Sequence, residues 1–433
     1  MDILTINDEI GKYPNSYYAG TAKLPDSYPQ AEGEISADVC VVGGGFSGLS
    51  AALHLARQGM NVVLLEANRL GSGASGRNGG QVGTGQRVEQ IELEKKVGME
   101  QAQTLWDMSL ESVQLVKDLI SESEADCKFV NGIIHANHRQ RYTKETEHFV
   151  EHMSRVYGYD QFRFLDETAI KEEIGSPDYH SGCLDLGSGH INPLLYVFAL
   201  VKLVENSGVT IYEQSRMTQY TKGDEVKIQT DKAVVKAKYA VFGLNGYHNN
   251  IDPSLVSNVM PINNFICATE PLSDDLAQSL IRNNYGVADS RFVINYFRLS
   301  EDNRLLFGGG ESYGYKFPAD IKAKTRKPML EIFPNLKDTR IDYAWGGTLG
   351  ITMSRLPHFE RVDNNILSVA GFSGHGIAMA TLAGKMAAET ISIQATTFDF
   401  MAQLPSATFP GGVLLRQPLL VSAMLWYSML DKL

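Results

Sequence analysis

The chain has 433 residues, 43% of them hydrophobic, with a formal net charge of −11. That length suggests two domains, the apolar content supports a sizeable core rather than disorder, and the acidic balance argues against a nucleic-acid partner, which needs a basic footprint. Four widely separated cysteines, Cys40, Cys127, Cys183 and Cys267, form neither a CxxC pair nor a disulfide framework, as expected of a cytoplasmic protein.

The N-terminal stretch MDILTINDEIGKY is acidic and lacks the apolar core of a signal peptide. The first strong element follows at residues 39–42, a β-branched run suited to a buried parallel strand. Gly43, Gly45 and Gly48 then form GxGxxG, and Leu49, Ala52, Leu53 and Ala56 recur at helical spacing, with Gly59 as a stop signal. Residues 62–65 read as the next strand, and Glu66 closes it. This is the strand–turn–helix–strand context of a dinucleotide fingerprint. Gly43 permits the tight turn, Gly45 lets backbone N–H groups approach a pyrophosphate, and Gly48 lets the helix pack on the strand. The helix N-terminus faces the phosphates, and Glu66 accepts from a ribose diol. A carboxylate there repels a 2′-phosphate, so NADP is disfavoured, while NAD and FAD both fit.

The next stretch, RLGSGASGRNGGQ, spans residues 69–81 and holds five glycines. Such a loop is too long for a simple connection and suits backbone packed against a flat ligand. No second GxGxxG occurs, so FAD alone is expected, with electrons passing to oxygen or another acceptor. Residues 89–181 are charge-rich and helix-like, with a long amphipathic run at 99–123. A helix is expected over 192–208, with Asn192 as N-cap, Pro193 in its first turn and Gly208 after its end. Residues 209–212 and 238–247 read as strands returning to the first sheet. Residues 291–310 read as a hairpin turning at Glu301–Asn303. Alternation puts Phe292, Ile294, Tyr296 and Arg298 on one face and Val293, Asn295, Phe297 and Leu299 on the other. A second strand–glycine turn–helix follows at 364–391, with Gly371, Gly374, His375 and Gly376 at the turn. Its helix N-terminus can stabilise negative charge on a reduced flavin. The last stretch, 413–433, is apolar at several helical positions. It is expected to dock on protein, and its few basic residues, Arg416 and Lys432, make peripheral membrane contact the lesser reading. No run reaches the ~20 apolar residues that span a bilayer.

Taken together, these stretches resemble the D-amino-acid-oxidase superfamily of FAD enzymes. The resemblance is carried by ADVCVVGGGFSGLSAALHLA (37–56), LEANRLGSGASGRNGGQ (65–81), GHINP (189–193) and FSGHG (372–376). SYYAGTA (16–22), the hairpin YFRLSEDNRLLFGGG (296–310) and LPSATFPGG (404–412) direct it to the members that oxidise gamma-glutamylputrescine. It implies an α/β architecture: a Rossmann-like FAD-binding domain interleaved with an antiparallel-sheet substrate domain. The expected division is 33–88, 182–252 and 345–412 for the FAD domain, 89–181 and 253–344 for the substrate domain, and a terminal helix over 413–433.

The resemblance also implies a set of cofactor residues. These are Gly43, Gly45, Phe46, Ser47, Gly48, Glu66 and Ala67 from the fingerprint, and Ser75, Gly76, Arg77, Asn78, Gly79, Gly80 and Gln81 from the loop. Met217, Asn245, Tyr247, Trp345, Gly346, Gly374, His375, Gly376 and Ile377 complete it. The sarcosine-oxidase branch holds its flavin through a cysteine, and residues 345–359 contain none, so the FAD is expected to be non-covalent. Tyr296, Arg298 and Arg77 are the substrate candidates, with Arg291 next, because a distal carboxylate calls for an arginine. No histidine stands in a Ser/His/Asp or metal-ligand pattern, and none is singled out as a catalytic base or metal ligand. The implied reaction takes the amine and molecular oxygen to an aldehyde, ammonia and hydrogen peroxide by hydride transfer to flavin N5. Oxidation of another amine, an N-methyl amino acid or a D-amino acid is the alternative.

Overall fold

A computed structural model describes residues 2–248, 251–312 and 314–410. The expected terminal helix over 413–433 lies outside the described residues.

The strand Gly33–Val42, buried from Val39 onward, sits at the middle of the first sheet. It pairs in parallel with Val62–Leu65 on one side and Ala233–Phe242 on the other. Thr210–Tyr212 extends one edge and Ile366–Ala370 the other, both in parallel, and His358–Asp363 closes that edge antiparallel. Two short strands, Gln219–Thr221 and Val226–Gln229, add an antiparallel flap. Residues 39–42, 62–65, 240–242 and 366–370 are buried on both faces, which is why they read as continuous apolar runs.

Helices Phe46–Arg57, Met99–Ser123, Pro193–Asn206 and Gly376–Ile393 cover one face and share one apolar core with it. The helices Phe46–Arg57 and Gly376–Ile393 pack closely because Gly384 has no side chain. A Cβ there would sit 2.2 Å from the Ser47 carbonyl. The Pro193–Asn206 helix starts where the sequence signals it, with the Asn192 side chain accepting from the N–H groups of Leu194 and Leu195.

The second sheet holds nine strands, eight in the order Ile341–Ile351, Met260–Thr269, Leu305–Ser312, Tyr296–Leu299, Gly286–Asp289, Val130–Asn137, Ser181–His190 and Gln81–Val82, with Phe162–Leu165 paired to Ser181–His190. One face packs on a separate core with Ile134, Ala136, Val287, Phe297 and Phe307. The alternate residues, His135, Ala288, Tyr296 and Gly308, lie opposite one another in a row on the other face.

The chain crosses between the sheets at points other than those expected. The boundaries at 182 and 345 fall inside strands Ser181–His190 and Ile341–Ile351, and both strands belong to the second sheet. The Met99–Ser123 helix, expected in the substrate domain, buries Leu105, Val113, Val116 and Leu119 in the first core. The 291–310 hairpin is shorter than expected, because regular strand begins only at Tyr296. The buried Asp289 carboxylate accepts from the N–H groups of Arg291 and Asn295, which curls the intervening residues into a loop. The alternation therefore describes Tyr296 to Leu299 and not Phe292 to Asn295. Among the described residues, no helix is long and apolar enough to cross a membrane.

Candidate active site

A cleft opens at the carboxyl ends of the parallel strands, where open α/β sheets bind ligands. Gly43, Gly45, Glu66, Ala67, Ser75, Arg77, Met217, Asn245 and Tyr247 all line it. Gly43 has φ +107°, and a Cβ on it would meet the Gly243 carbonyl at 2.7 Å. Gly48 lies behind the turn, where a Cβ would fall 1.8 Å from the Gly43 carbonyl. Phe46 and Ser47 are buried in the helix beneath, Phe46 against Tyr196, and support the cleft rather than line it.

The Glu66 carboxylate accepts from the N–H groups of Gly44 at 2.7 Å and Asn68 at 2.8 Å. Burial raises its pKa against those two donors. A fixed, partly desolvated acceptor beside a glycine turn suits a ribose diol. A Cβ on Gly44 or Gly45 would meet Leu70 Cδ2 or the Ser75 hydroxyl at 2.4 and 2.7 Å, so a side chain there would displace those groups at the edge of the cradle. The residues present therefore fit the adenosine and pyrophosphate of a dinucleotide.

The glycine loop runs from this cleft to the second sheet. Gly76 is buried against the Gly71 carbonyl, and Gly80, at φ +84°, packs under Ile191. Gln81 enters a short strand and donates to the Val287 carbonyl. Trp345 and Gly346 reach the loop from behind: the Trp345 indole donates to the Arg77 carbonyl, and the Gly346 carbonyl accepts from Arg77. Gly374, His375, Gly376 and Ile377 start the Gly376–Ile393 helix, and the His375 ring packs on Gly83 just past the loop.

Three arginines expected to meet substrate have protein partners. Arg298 is 3% exposed and donates to the carbonyls of Gly79, Ile191 and Leu299 and to the Tyr18 hydroxyl. Arg77 is equally buried, bonded to the Ser72 and Gly346 carbonyls and paired with Asp8 at 2.9 Å. Arg291 lies between Asp178 and Asp289, each at 2.5 Å. Through these bonds Arg298 and Arg77 tie the glycine loop to its surroundings. Tyr296 keeps a half-buried place on the face of the second sheet that meets the loop at Gly79 and so roofs it, its hydroxyl donating to Asn264 Oδ1 at 2.5 Å.

Other residues at the site carried no local signal. Leu4 and Asp8 of the N-terminal segment line the cleft. Arg216 is paired with Asp2, and the N–H of Gly11 bonds the Asn68 side chain, which ties that segment over the adenosine end. His135 stands beside Ala288 on the same face of the second sheet as Tyr296 and is exposed. Burial lowers its basicity, and His375 is lowered to about 4 by burial together with Arg87 and His135. The four cysteines are buried, and none lines the cleft.

This fold and cleft define a dinucleotide-dependent oxidoreductase with a two-sheet, interleaved plan. Residues 38–390 match the FAD dependent oxidoreductase family, DAO, and the chain belongs to it. It is 39% identical over 425 residues to gamma-glutamylputrescine oxidoreductase of Escherichia coli, covering 98% of this chain and 99% of the relative. It is 40% identical over 418 residues to probable oxidoreductase OrdL of Rhizobium meliloti, covering 96% and 97%. Among solved structures, glycine oxidase from Geobacillus kaustophilus superposes with TM-score 0.69 at 18% identity, covering 86% of this chain and 99% of that one. L-proline dehydrogenase from P. horikoshii gives the same TM-score at 21% identity, covering 86% and 96%. The cofactor is FAD.

Proposed function

We propose that this enzyme oxidises a primary amine carrying a distant carboxylate, with gamma-glutamylputrescine as the substrate and oxygen as the acceptor. The observation that carries the reading is the character of the roof. His135, Tyr296 and Asn264 are neutral groups on the sheet face that looks towards the glycine loop, while the buried Arg77 and Arg298 are committed to protein partners. Neutral polar groups give an ammonium no counter-ion and so favour the neutral form of the amine, which must lose its proton before the adjacent carbon gives up hydride. FAD, when bound, supplies the two-electron acceptor. The roof's part is to orient the amine and exclude competing geometries. The near full-length similarity to the Escherichia coli enzyme supports the same substrate.

The distal carboxylate then needs a basic partner well away from the reacting carbon. Strands Val130–Asn137 and Gly286–Asp289 run in parallel and end at the same edge of the roof, where Ser290 bonds the N–H of His138. Arg139 lies four positions beyond His135, or about 13 Å along extended chain. In our reading Arg139 meets the carboxylate. Replacing it by alanine should raise KM for gamma-glutamylputrescine at least tenfold and leave kcat/KM for putrescine, which has no carboxylate, within twofold. Equal losses on both amines would remove Arg139 from this role. Wild-type kcat/KM no higher for gamma-glutamylputrescine than for putrescine would contradict the substrate.

A further inference from the structure

The glycine loop is saturated on one chemical side. Eight of the ten carbonyls from Gly71 to Gly80 accept a hydrogen bond. Near the fingerprint the donors are local: Gly76 serves Gly71, the Arg77 side chain serves Ser72, and the Asn78 amide serves Ala74 and Ser75. At the other end they come from elements far apart in the chain. The Trp345 indole takes the Arg77 carbonyl at 2.9 Å, the Tyr18 hydroxyl takes that of Asn78 at 2.8 Å, and Arg298 Nε takes that of Gly79 at 3.0 Å. The backbone N–H of Ile191 takes that of Gly80 at 2.8 Å.

The three side-chain donors brace one another. Tyr18 meets Trp345 edge to face at 5.5 Å, and Arg298 donates to the Tyr18 hydroxyl while lying over its ring. All three are buried. In a trans peptide the C=O of one residue and the N–H of the next point in opposite directions. The bonds at Arg77 and Asn78 therefore turn the N–H groups of Asn78 and Gly79 away from the Tyr18–Trp345 pair. Both residues are partly exposed, on a loop whose neighbours line the cleft. Among the described residues, no acceptor takes either N–H.

We propose that Tyr18, Trp345 and Arg298 form a clamp whose purpose is to present the Asn78 and Gly79 N–H groups as fixed donors to the electron-rich edge of the flavin ring. They are positioning residues, acting through the loop. Fixed donors aimed where negative charge develops stabilise the reduced, anionic form without reorganising. The inference rests on FAD binding and is independent of the amine substrate.

The test uses the purified holoenzyme and sulfite, whose addition to an oxidised flavin reports how well the site stabilises negative charge on the ring. Tyr18→Phe removes one hydroxyl and frees the Asn78 carbonyl. It should weaken sulfite binding about tenfold and lower the flavin midpoint potential, with the FAD content retained. Trp345→Phe frees the Arg77 carbonyl and should act in the same direction. Tyr17→Phe is the control, because its hydroxyl goes to Asp302 and Glu301 instead, and it should leave both readings within twofold of wild type. Unchanged sulfite affinity in both Tyr18→Phe and Trp345→Phe, or an equal fall in the Tyr17→Phe control, would overturn the proposal.

Discussion

At the scale of single residues, the local signals and the remote ones part company. Glu66 could be picked out because its task depends on a fixed spacing from Gly43 within one strand–helix–strand unit. Arg298 could be placed on the right face, since alternation fixes the face, but alternation says nothing of what lies opposite. Three of its partners are the Gly79 and Ile191 carbonyls and the Tyr18 hydroxyl, each far away in the chain. Asp8 illustrates the same limit, because its pairing with Arg77 bridges 69 positions. His190 offers a test at this scale. It is buried and donates to the Asn284 carbonyl at 2.7 Å, and burial, with Arg298 nearby, holds its pKa down to about 3. The unfolded chain binds its proton near pH 6.5, so the folded state loses stability as pH falls from there towards 3. His190→Gln, which keeps a donor and cannot titrate, should flatten the slope of unfolding free energy against pH by about 1.4 kcal/mol per unit between pH 4 and 6. Denaturant titrations at several pH values measure it. An unchanged slope would mean that His190 is not held neutral.

At the scale of elements, the fingerprint unit and the Asn192-capped helix were legible because both rest on short-range chemistry, a turn that only glycine fits and a cap that closes orphan N–H groups. The hairpin was legible only in part. Residues 291–295 were lost to the Asp289 side chain, a non-periodic hydrogen-bonding centre that competes with strand formation. The fingerprint turn carries the sharpest element-level prediction. Gly48→Ala places a methyl 1.8 Å from the Gly43 carbonyl, so the helix must lift from the strand. The cost should be about 3 kcal/mol, and the purified protein should hold under a tenth of its FAD. Absorbance at the flavin band per mole of protein, with a thermal melt, decides it. Full FAD loading in this variant would mean that the helix does not pack on the turn as described.

At the scale of the whole molecule, the two-sheet plan was what the family resemblance implied, and the order of the motifs was compatible with it. The crossing points did not follow. Strands Ser181–His190 and Ile341–Ile351 flank segments of the first sheet in sequence yet pair in the second. Long-range pairing of this kind leaves no local mark in composition or period. The interleaving has a functional result: the loop that leaves the first sheet after Glu66 ends as the Gln81–Val82 edge strand of the second. The cleft and the second sheet are therefore fixed to each other by one continuous stretch of backbone. The measurement that bears most directly on the account is anaerobic mixing of the yellow holoenzyme with gamma-glutamylputrescine, putrescine, sarcosine and D-alanine in turn, following the flavin band. The account predicts fast and complete bleaching by gamma-glutamylputrescine, with slow bleaching or none by the other three. Bleaching by sarcosine or D-alanine alone would contradict it, and would place the substrate carboxylate beside the reacting carbon instead of at the far edge of the roof.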